Sequence, residues 1–286
     1  MVLDIRPLTP GFGAEIRGFD LTQANDRQLG RLVDAWRQAR IVVIRDQQSA
    51  NDSDLLQFSR ALGRLDPAPN FDTKKSSLDG FPEIAVVSNI KQDGKPLGGL
   101  GDGELAWHSD MTYVNDPPVA CALLARELPS DGSGDTWFLD LLGAYETLPL
   151  GLKTTIARHN IFHDAGYTSA GTKRTDTRDG AGSWHPIVNS DPLSGRPSLF
   201  LGRTLNRQVD KLETPAGHAL LDELWTHARQ EQFVLRHRWQ PGDLLLWNNI
   251  AVMHRRDAFD SAQRRRLHRT QIRALHPHWE PFASVA

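Results

Sequence analysis

The chain contains one cysteine, Cys121, among its 286 residues. A lone thiol excludes an intramolecular disulfide and a thiolate-built structural zinc site, and a reducing cytoplasm is the expected home. Long hydrophobic runs are missing as well. None approaches the roughly 18 residues that a membrane-spanning helix needs. The opening stretch, MVLDIRPLTPGFGAEIRGFDL, has neither the basic start nor the apolar centre of a signal peptide. An excess of one charge is absent too: the formal net charge is −2 and the pI about 6.6. That balance provides no electrostatic footprint for nucleic acid or an anionic membrane. There is no internal repeat, low-complexity tract or linker, so residues 1–286 read as a single domain, a size that buries a sizeable core.

What is present is a series of short β-rich runs bounded by Gly, Pro, Asp and Asn: ARIVVIRD (39–46), EIAVVSNI (83–90), ACALLARELP (120–129), SLFLG (198–202) and GDLLLWNN (242–249). Between them, apolar residues recur at helical spacing in 21–39, 49–63 and 214–230. The first of these places Leu29, Leu32, Val33 and Trp36 on one face, and the last opens on a Thr–Pro pair suited to a cap and first turn. Strands and helices do not alternate strictly, which argues against a doubly wound parallel sheet. A mainly β fold is expected, a jelly roll with helices packed outside it. Residues 67–105 are rich in Gly, Pro, Asp and Lys around one strand, and KQDGKPLGGLGDGE is too long for a tight turn, so this region is expected to form an active-site lid.

The chain has 11 histidines, and the useful question is which of them stand at metal-ligand spacing. His108 and Asp110, in Trp-His-Ser-Asp, are two apart and would share a face if that segment were extended. His254, at the end of LLLWNNIAVMH, is a candidate third ligand. Two histidines and a carboxylate on one face of an octahedron leave positions open, the arrangement of iron(II) oxygenases, whereas zinc favours closed or nearly closed four-coordinate sites. H-x-D alone is a weak signal. Downstream lies RRRLHRTQI, where the ordinary reading is a solvated basic face. On a strand, however, Arg265 and Arg269 share a face with apolar Leu267, which favours an inward assignment for that parity and a bidentate grip on a dicarboxylate.

These residues resemble the taurine and 2,4-dichlorophenoxyacetate dioxygenase (TauD/TfdA) family. The resemblance runs from TPGFGAEIRGFDL through WHSDMTYVNDPPVACALLARELPSDGSGDTWF, HPIVNSDPLSGRPSLFLG and RHRWQPGDLLLWNNIAVMHRRDAF to RRRLHRTQI. It implies a double-stranded β-helix (cupin-like) and an enzyme using Fe(2+), with 2-oxoglutarate and O2 as co-substrates. Substrate is hydroxylated while 2-oxoglutarate yields succinate and carbon dioxide. Carried over, the metal triad falls on His108, Asp110 and His254. Thr136, in SGDTWF, and Arg265, eleven positions past His254, would hold 2-oxoglutarate. Arg269 would meet the anionic end of the prime substrate, and Asn89 and Tyr113, near the expected site, would line its pocket. The His that binds taurine's amine has no counterpart in PNFDTKKSS, which sets taurine itself aside.

The expected partner is therefore a small anionic molecule, an aryloxyalkanoate-type carboxylate or an organosulfonate. The alternative within the same chemistry is an amino acid or other small metabolite hydroxylated at unactivated carbon. A zinc hydrolase on the same triad lacks an H-E-x-x-H helix and a general-base carboxylate beside the ligands. A non-catalytic cupin-like binding protein would be expected to have lost a member of the triad or Arg265. A homo-oligomer, dimer or tetramer, is compatible with the sequence.

Overall fold

Strand Ala120–Glu127 shows why several runs in this chain are apolar without alternation. Its Ala120, Ala122 and Leu124 pack under helices, while Cys121, Leu123 and Ala125 face the other way into a second apolar cluster. A strand buried on both faces has no polar side to show. In the computed structural model, which describes residues 3–69, 76–174 and 180–280, this strand lies within a large sheet. The order across that sheet is Asp4–Thr9, Phe12–Arg17, Ile41–Ile44, Leu244–Asn248, Ala120–Glu127, Arg266–Leu275, Phe81–Ser88 and Ser77–Leu78. All neighbours along this path are antiparallel except Phe12–Arg17 with Ile41–Ile44. A smaller antiparallel sheet is ordered Leu105–His108, Val252–Arg256, Thr136–Asp140 and Val234–His237.

The two sheets meet over one shared core. Phe138, Leu235 and Val252 from the small sheet pack with Ile41, Val43, Leu123, Leu245, Trp247 and Leu267 from the large one. This is the expected jelly roll, with helices outside. Helices Asp26–Ala39 and Asp52–Leu62 cover the outer face of the large sheet with Leu32, Val33, Trp36, Leu55 and Leu62. Helices Leu141–Thr147, Leu150–Ile156 and Thr214–Ala228 join a cluster with Leu139 and Met253, on the outer face of the small one. No helix among the described residues is long and apolar enough to cross a membrane.

Helix boundaries differ from the sequence reading because side chains capture backbone donors early. The first helix starts at Asp26, not Leu21: Asp20 ties up the Thr22 N–H and hydroxyl, and Asn25 and Gln28 form a reciprocal capping box. Asn51 and Asp54 do the same for the second helix. The third begins at Thr214 with Glu213 at the cap position, and no side chain caps it. Of SLFLG, only Ser198 and Leu199 lie in a strand, Pro197–Leu199, paired with Val188–Ser190. The region 67–105 is built around one strand, as expected. Phe81–Ser88 is a strand of the large sheet, flanked by short hairpin and turn segments; residues 70–75 lie outside the described residues.

Candidate active site

His108 closes strand Leu105–His108, and its direct cross-strand partner is His254 on Val252–Arg256. Their ring centroids stand 4.2 Å apart. Asp110 is in the turn after the strand rather than on its pleat, so strand alternation is not what aims it. Asn249 does that: its Oδ1 accepts the Asp110 N–H at 2.8 Å, while its Nδ2 donates to the carbonyls of Asp110 and Pro118. One ligand atom from each of His108, Asp110 and His254 lies within 4.8 Å of the others, and all three residues are buried.

The protonation pattern suits a metal ion. His108 Nδ1 lies 2.7 Å from the Ala106 carbonyl, which only accepts, so Nδ1 carries the proton and Nε2 keeps its lone pair. Burial holds the His108 imidazole well below its usual range, with the neighbouring His254 adding to the effect. Burial likewise pushes His254 down to about 4, against the pull of Asp110. Burial alone would raise the Asp110 carboxyl, but Arg269 foremost, with His254 and His108, holds it well below the ordinary carboxylate range. Two neutral imidazoles and one carboxylate are the donors iron(II) takes in this type of site. The Cys121 thiol adds a contact of 3.3 Å to Asp110 Oδ2.

A second feature sits on the inner face of strand Arg266–Leu275 and the residue before it. Arg265 is 2% exposed, and its Nε is buried without a hydrogen-bond partner among the described residues. No described carboxylate pairs with it. Burial, and then the nearby Arg256, push its guanidinium well below its usual range, with Asp135 opposing. Its charge lies 5.7 Å from the Trp239 ring centroid and 5.8 Å from that of Phe259. Trp239 Nε1 donates to Thr136 Oγ1 at 3.0 Å, so Thr136 and Arg265 meet around one indole. A buried cation without a counter-charge is costly. The distal carboxylate of a dicarboxylate would relieve it, with the Thr136 hydroxyl beside it.

The inward parity of Arg265 and Arg269 with Leu267 holds: Leu267 belongs to the inter-sheet core, while Thr270 and Ile272 face the helices. Arg264, outside that parity, is exposed and paired with Glu127. Two expectations change. Arg269 points its Nη1 at both oxygens of Asp110, at 3.0 and 2.9 Å, and so supports a candidate ligand as well as bordering the cavity. Asn89 does not line that cavity: its amide donates to the Gln263 carbonyl and accepts the Arg265 N–H, tying down the approach to Arg265.

The cavity beside His108 and Asp110 is bordered by Tyr113 as expected, and by Arg174, Arg203 and Arg269. Arg174 and Arg203 carry no periodic signal and were not legible in the sequence. Asn249, Cys121 and Trp239 were also missed, although each lies in a segment that carries the family resemblance.

Comparison with known proteins agrees with this architecture. The sequence model of the family described as "Taurine catabolism dioxygenase TauD, TfdA family" matches residues 4–271. The chain is 31% identical over 280 residues to the alpha-ketoglutarate-dependent 2,4-dichlorophenoxyacetate dioxygenase of Cupriavidus pinatubonensis, covering 92% of this chain and 95% of that one. It is 28% identical over 282 residues to a pentalenolactone F synthase of Streptomyces arenae, covering 92% and 93%. A crystal structure of AAD-2 with Mn(II) and N-oxalylglycine superposes with a TM-score of 0.79 at 25% identity, covering 96% of this chain and 99% of that one.

The class is thus a jelly-roll dioxygenase that uses iron(II) and 2-oxoglutarate (alpha-ketoglutarate). The chain belongs to the TauD/TfdA family.

Proposed function

We propose that this enzyme hydroxylates a small anionic substrate, an aryloxyalkanoate-type carboxylate or an organosulfonate, at the carbon beside its heteroatom. The observation that carries the reading is the charge of the cavity next to the triad. Three arginines, Arg174, Arg203 and Arg269, border it with one carboxylate, Asp110. The two histidine ligands are neutral, and a bound divalent metal would add to the positive field. An anion is the natural complement. Tyr113, Leu100, Met111 and Pro69 supply an aromatic and apolar wall for the rest of a small molecule.

In this proposal His108, Asp110 and His254 hold the iron, and Arg265 and Thr136 hold the distal carboxylate of 2-oxoglutarate. When bound, iron(II) supplies the electrons that allow molecular oxygen to react with closed-shell molecules. One oxygen atom enters succinate as carbon dioxide leaves, and the other enters the substrate as hydroxyl. Hydroxylation of a carbon bearing an ether oxygen or a sulfonate gives a product that falls apart to a carbonyl compound. Pro69 and Leu100, from the region expected to act as a lid, line the cavity, and closure of that region would limit water there. The buried free thiol of Cys121 fits a cytoplasmic setting.

Support for the substrate class comes also from the likeness to a dioxygenase of 2,4-dichlorophenoxyacetate. The alternative within the same chemistry is an amino acid or other small metabolite hydroxylated at unactivated carbon. A panel of aryloxyalkanoates, sulfonates, amino acids and neutral metabolites decides between them, with iron(II) and 2-oxoglutarate present. Succinate formation coupled to oxygen uptake is expected only with anionic members that carry a heteroatom beside the oxidised carbon. Coupled turnover confined to amino acids or neutral metabolites would overturn the reading.

A further inference from the structure

Arg203 is 6% exposed and forms no ion pair with a described carboxylate. Its Nη1 donates to the Tyr167 carbonyl, and its Nε is buried without a partner among the described residues. The guanidinium lies 5.3 Å from the centroid of the Tyr113 ring, and Arg174 approaches the same ring at 5.7 Å. Such packing orients a guanidinium and limits its rotation, but does not neutralise it. Its backbone is fixed to the candidate metal site: residue 203 forms an antiparallel bridge with His108, and the Ser109 N–H donates to the carbonyl of Gly202. Of the guanidiniums that border the cavity, Arg203 and Arg269 are therefore unequal. Arg269 has its Nη1 on both oxygens of Asp110, whereas Arg203 forms no ion pair with a described carboxylate.

We propose that Arg203, oriented by Tyr113, binds the oxyanion group of the prime substrate and so determines its specificity for anions. The inference rests on the anionic-substrate reading above and names the residue responsible for it. Chemistry supports the location. In both an aryloxyalkanoate and an organosulfonate, the carbon to be oxidised is bonded to the anionic group or stands next to it. An anchor must then sit beside the metal ligands, and Arg203 borders the same cavity as His108 and Asp110. An anchor at the far end of the cavity would present the wrong carbon. The oxyanion shared by carboxylates and sulfonates is the ligand; the planar fork of an Arg donates paired hydrogen bonds to either.

The test compares binding of phenoxyacetate, ethanesulfonate and neutral 2-phenoxyethanol by calorimetry, to protein loaded with Mn(II) and N-oxalylglycine so that no turnover occurs. Arg203→Gln keeps a donor for the Tyr167 carbonyl and removes the charge. Arg203→Lys keeps the charge and removes the fork. The wild type is expected to bind at least one of the two anions more tightly than 2-phenoxyethanol. Arg203→Gln should weaken that anion about tenfold or more, the scale for losing one partner of a buried charge pair, with little change for the neutral probe. Arg203→Lys should recover part of the loss. Should Arg203→Gln fail to fold, Tyr113→Leu tests the same orientation and should weaken the anion more than the neutral probe. A wild type that prefers anions, with a preference that survives Arg203→Gln but is lost in Arg269→Gln, overturns the assignment to Arg203 and leaves the anionic-substrate reading standing. A wild type without preference for either anion removes both.

Discussion

His108 and His254 are direct cross-strand partners in the small sheet, with ring centroids 4.2 Å apart. The spacing of two candidate ligands is therefore set by backbone pairing, and the third, Asp110, by the side chain of Asn249. Pre-positioned donors of this kind need little rearrangement to take a metal. His108→Ala, Asp110→Ala and His254→Ala are each expected to abolish substrate-dependent succinate formation, because two remaining donors do not hold iron(II) against water. Iron content and circular dichroism are measured together. Near-normal turnover with iron retained in Asp110→Ala would refute the triad.

The Arg265 guanidinium is buried beside Trp239 and Phe259, with no described carboxylate on it. Arg265→Ala should raise the apparent Kd for 2-oxoglutarate more than tenfold, since losses for one partner of a buried charge pair are on the order of 2–5 kcal/mol. Arg265→Lys should recover part of it, as a point charge does not reproduce the fork. Trp239→Phe leaves an aromatic ring in place but drops the N–H that holds the Thr136 hydroxyl, and should cost less than the Arg265 change. A large loss on Arg264→Ala in place of Arg265→Ala would mean that Arg264 meets the co-substrate.

Much of this site was legible before the fold was known, for physical reasons that differ from residue to residue. Leu267 is the only apolar side chain in RRRLHR, so the strand period assigned Arg265 and Arg269 inward with it. His108 and Asp110 were paired for a reason only half correct, since the strand stops at His108 and Met111 follows Asp110 at φ 51°. The turn gives the carboxylate its aim through Asn249, a contact between residues remote in sequence that no local period records. Arg174 and Arg203 lie in irregular backbone, where neither period applies. The hairpin of Asp4–Thr9 and Phe12–Arg17 leaves little apolar signal in the sequence, because its first strand is largely exposed and its turn holds Pro10 and Gly11. In the large sheet, double burial made the apolar runs plain.

Arg269 donates to both Asp110 oxygens, and that geometry alters what its removal should do. Arg269→Ala is expected to weaken iron binding about ten- to a hundredfold, the usual effect of removing a group that orients a metal ligand. Iron affinity is measured by competition with a chelator, in the absence of substrate. The loss should appear there and in kcat, besides any rise in the KM of the prime substrate. Wild-type iron affinity combined with a KM raised tenfold would return Arg269 to the role of a substrate anchor alone.

Asp52 opens helix Asp52–Leu62 and joins that helix to the large sheet. Its Oδ1 lies 2.7 Å from His268 Nδ1 and 2.6 Å from Arg126 Nη2. Burial would raise the carboxyl, but the hydrogen bonds from His268 and then Arg126 outweigh it and bring it down to about 2. A carboxyl depressed in the folded state stabilises the fold above its unfolded pKa of roughly 4, and that contribution disappears as pH falls through the folded value. The wild type should therefore exceed Asp52→Asn in unfolding free energy by on the order of 2 kcal/mol at neutral pH. The gap should be steady from about pH 7 to 5 and close between about pH 4 and 2. Urea titrations of both proteins at stepped pH measure it. A gap that persists undiminished to about pH 2 would mean that Asp52 acts by packing and helix capping, with its charge irrelevant.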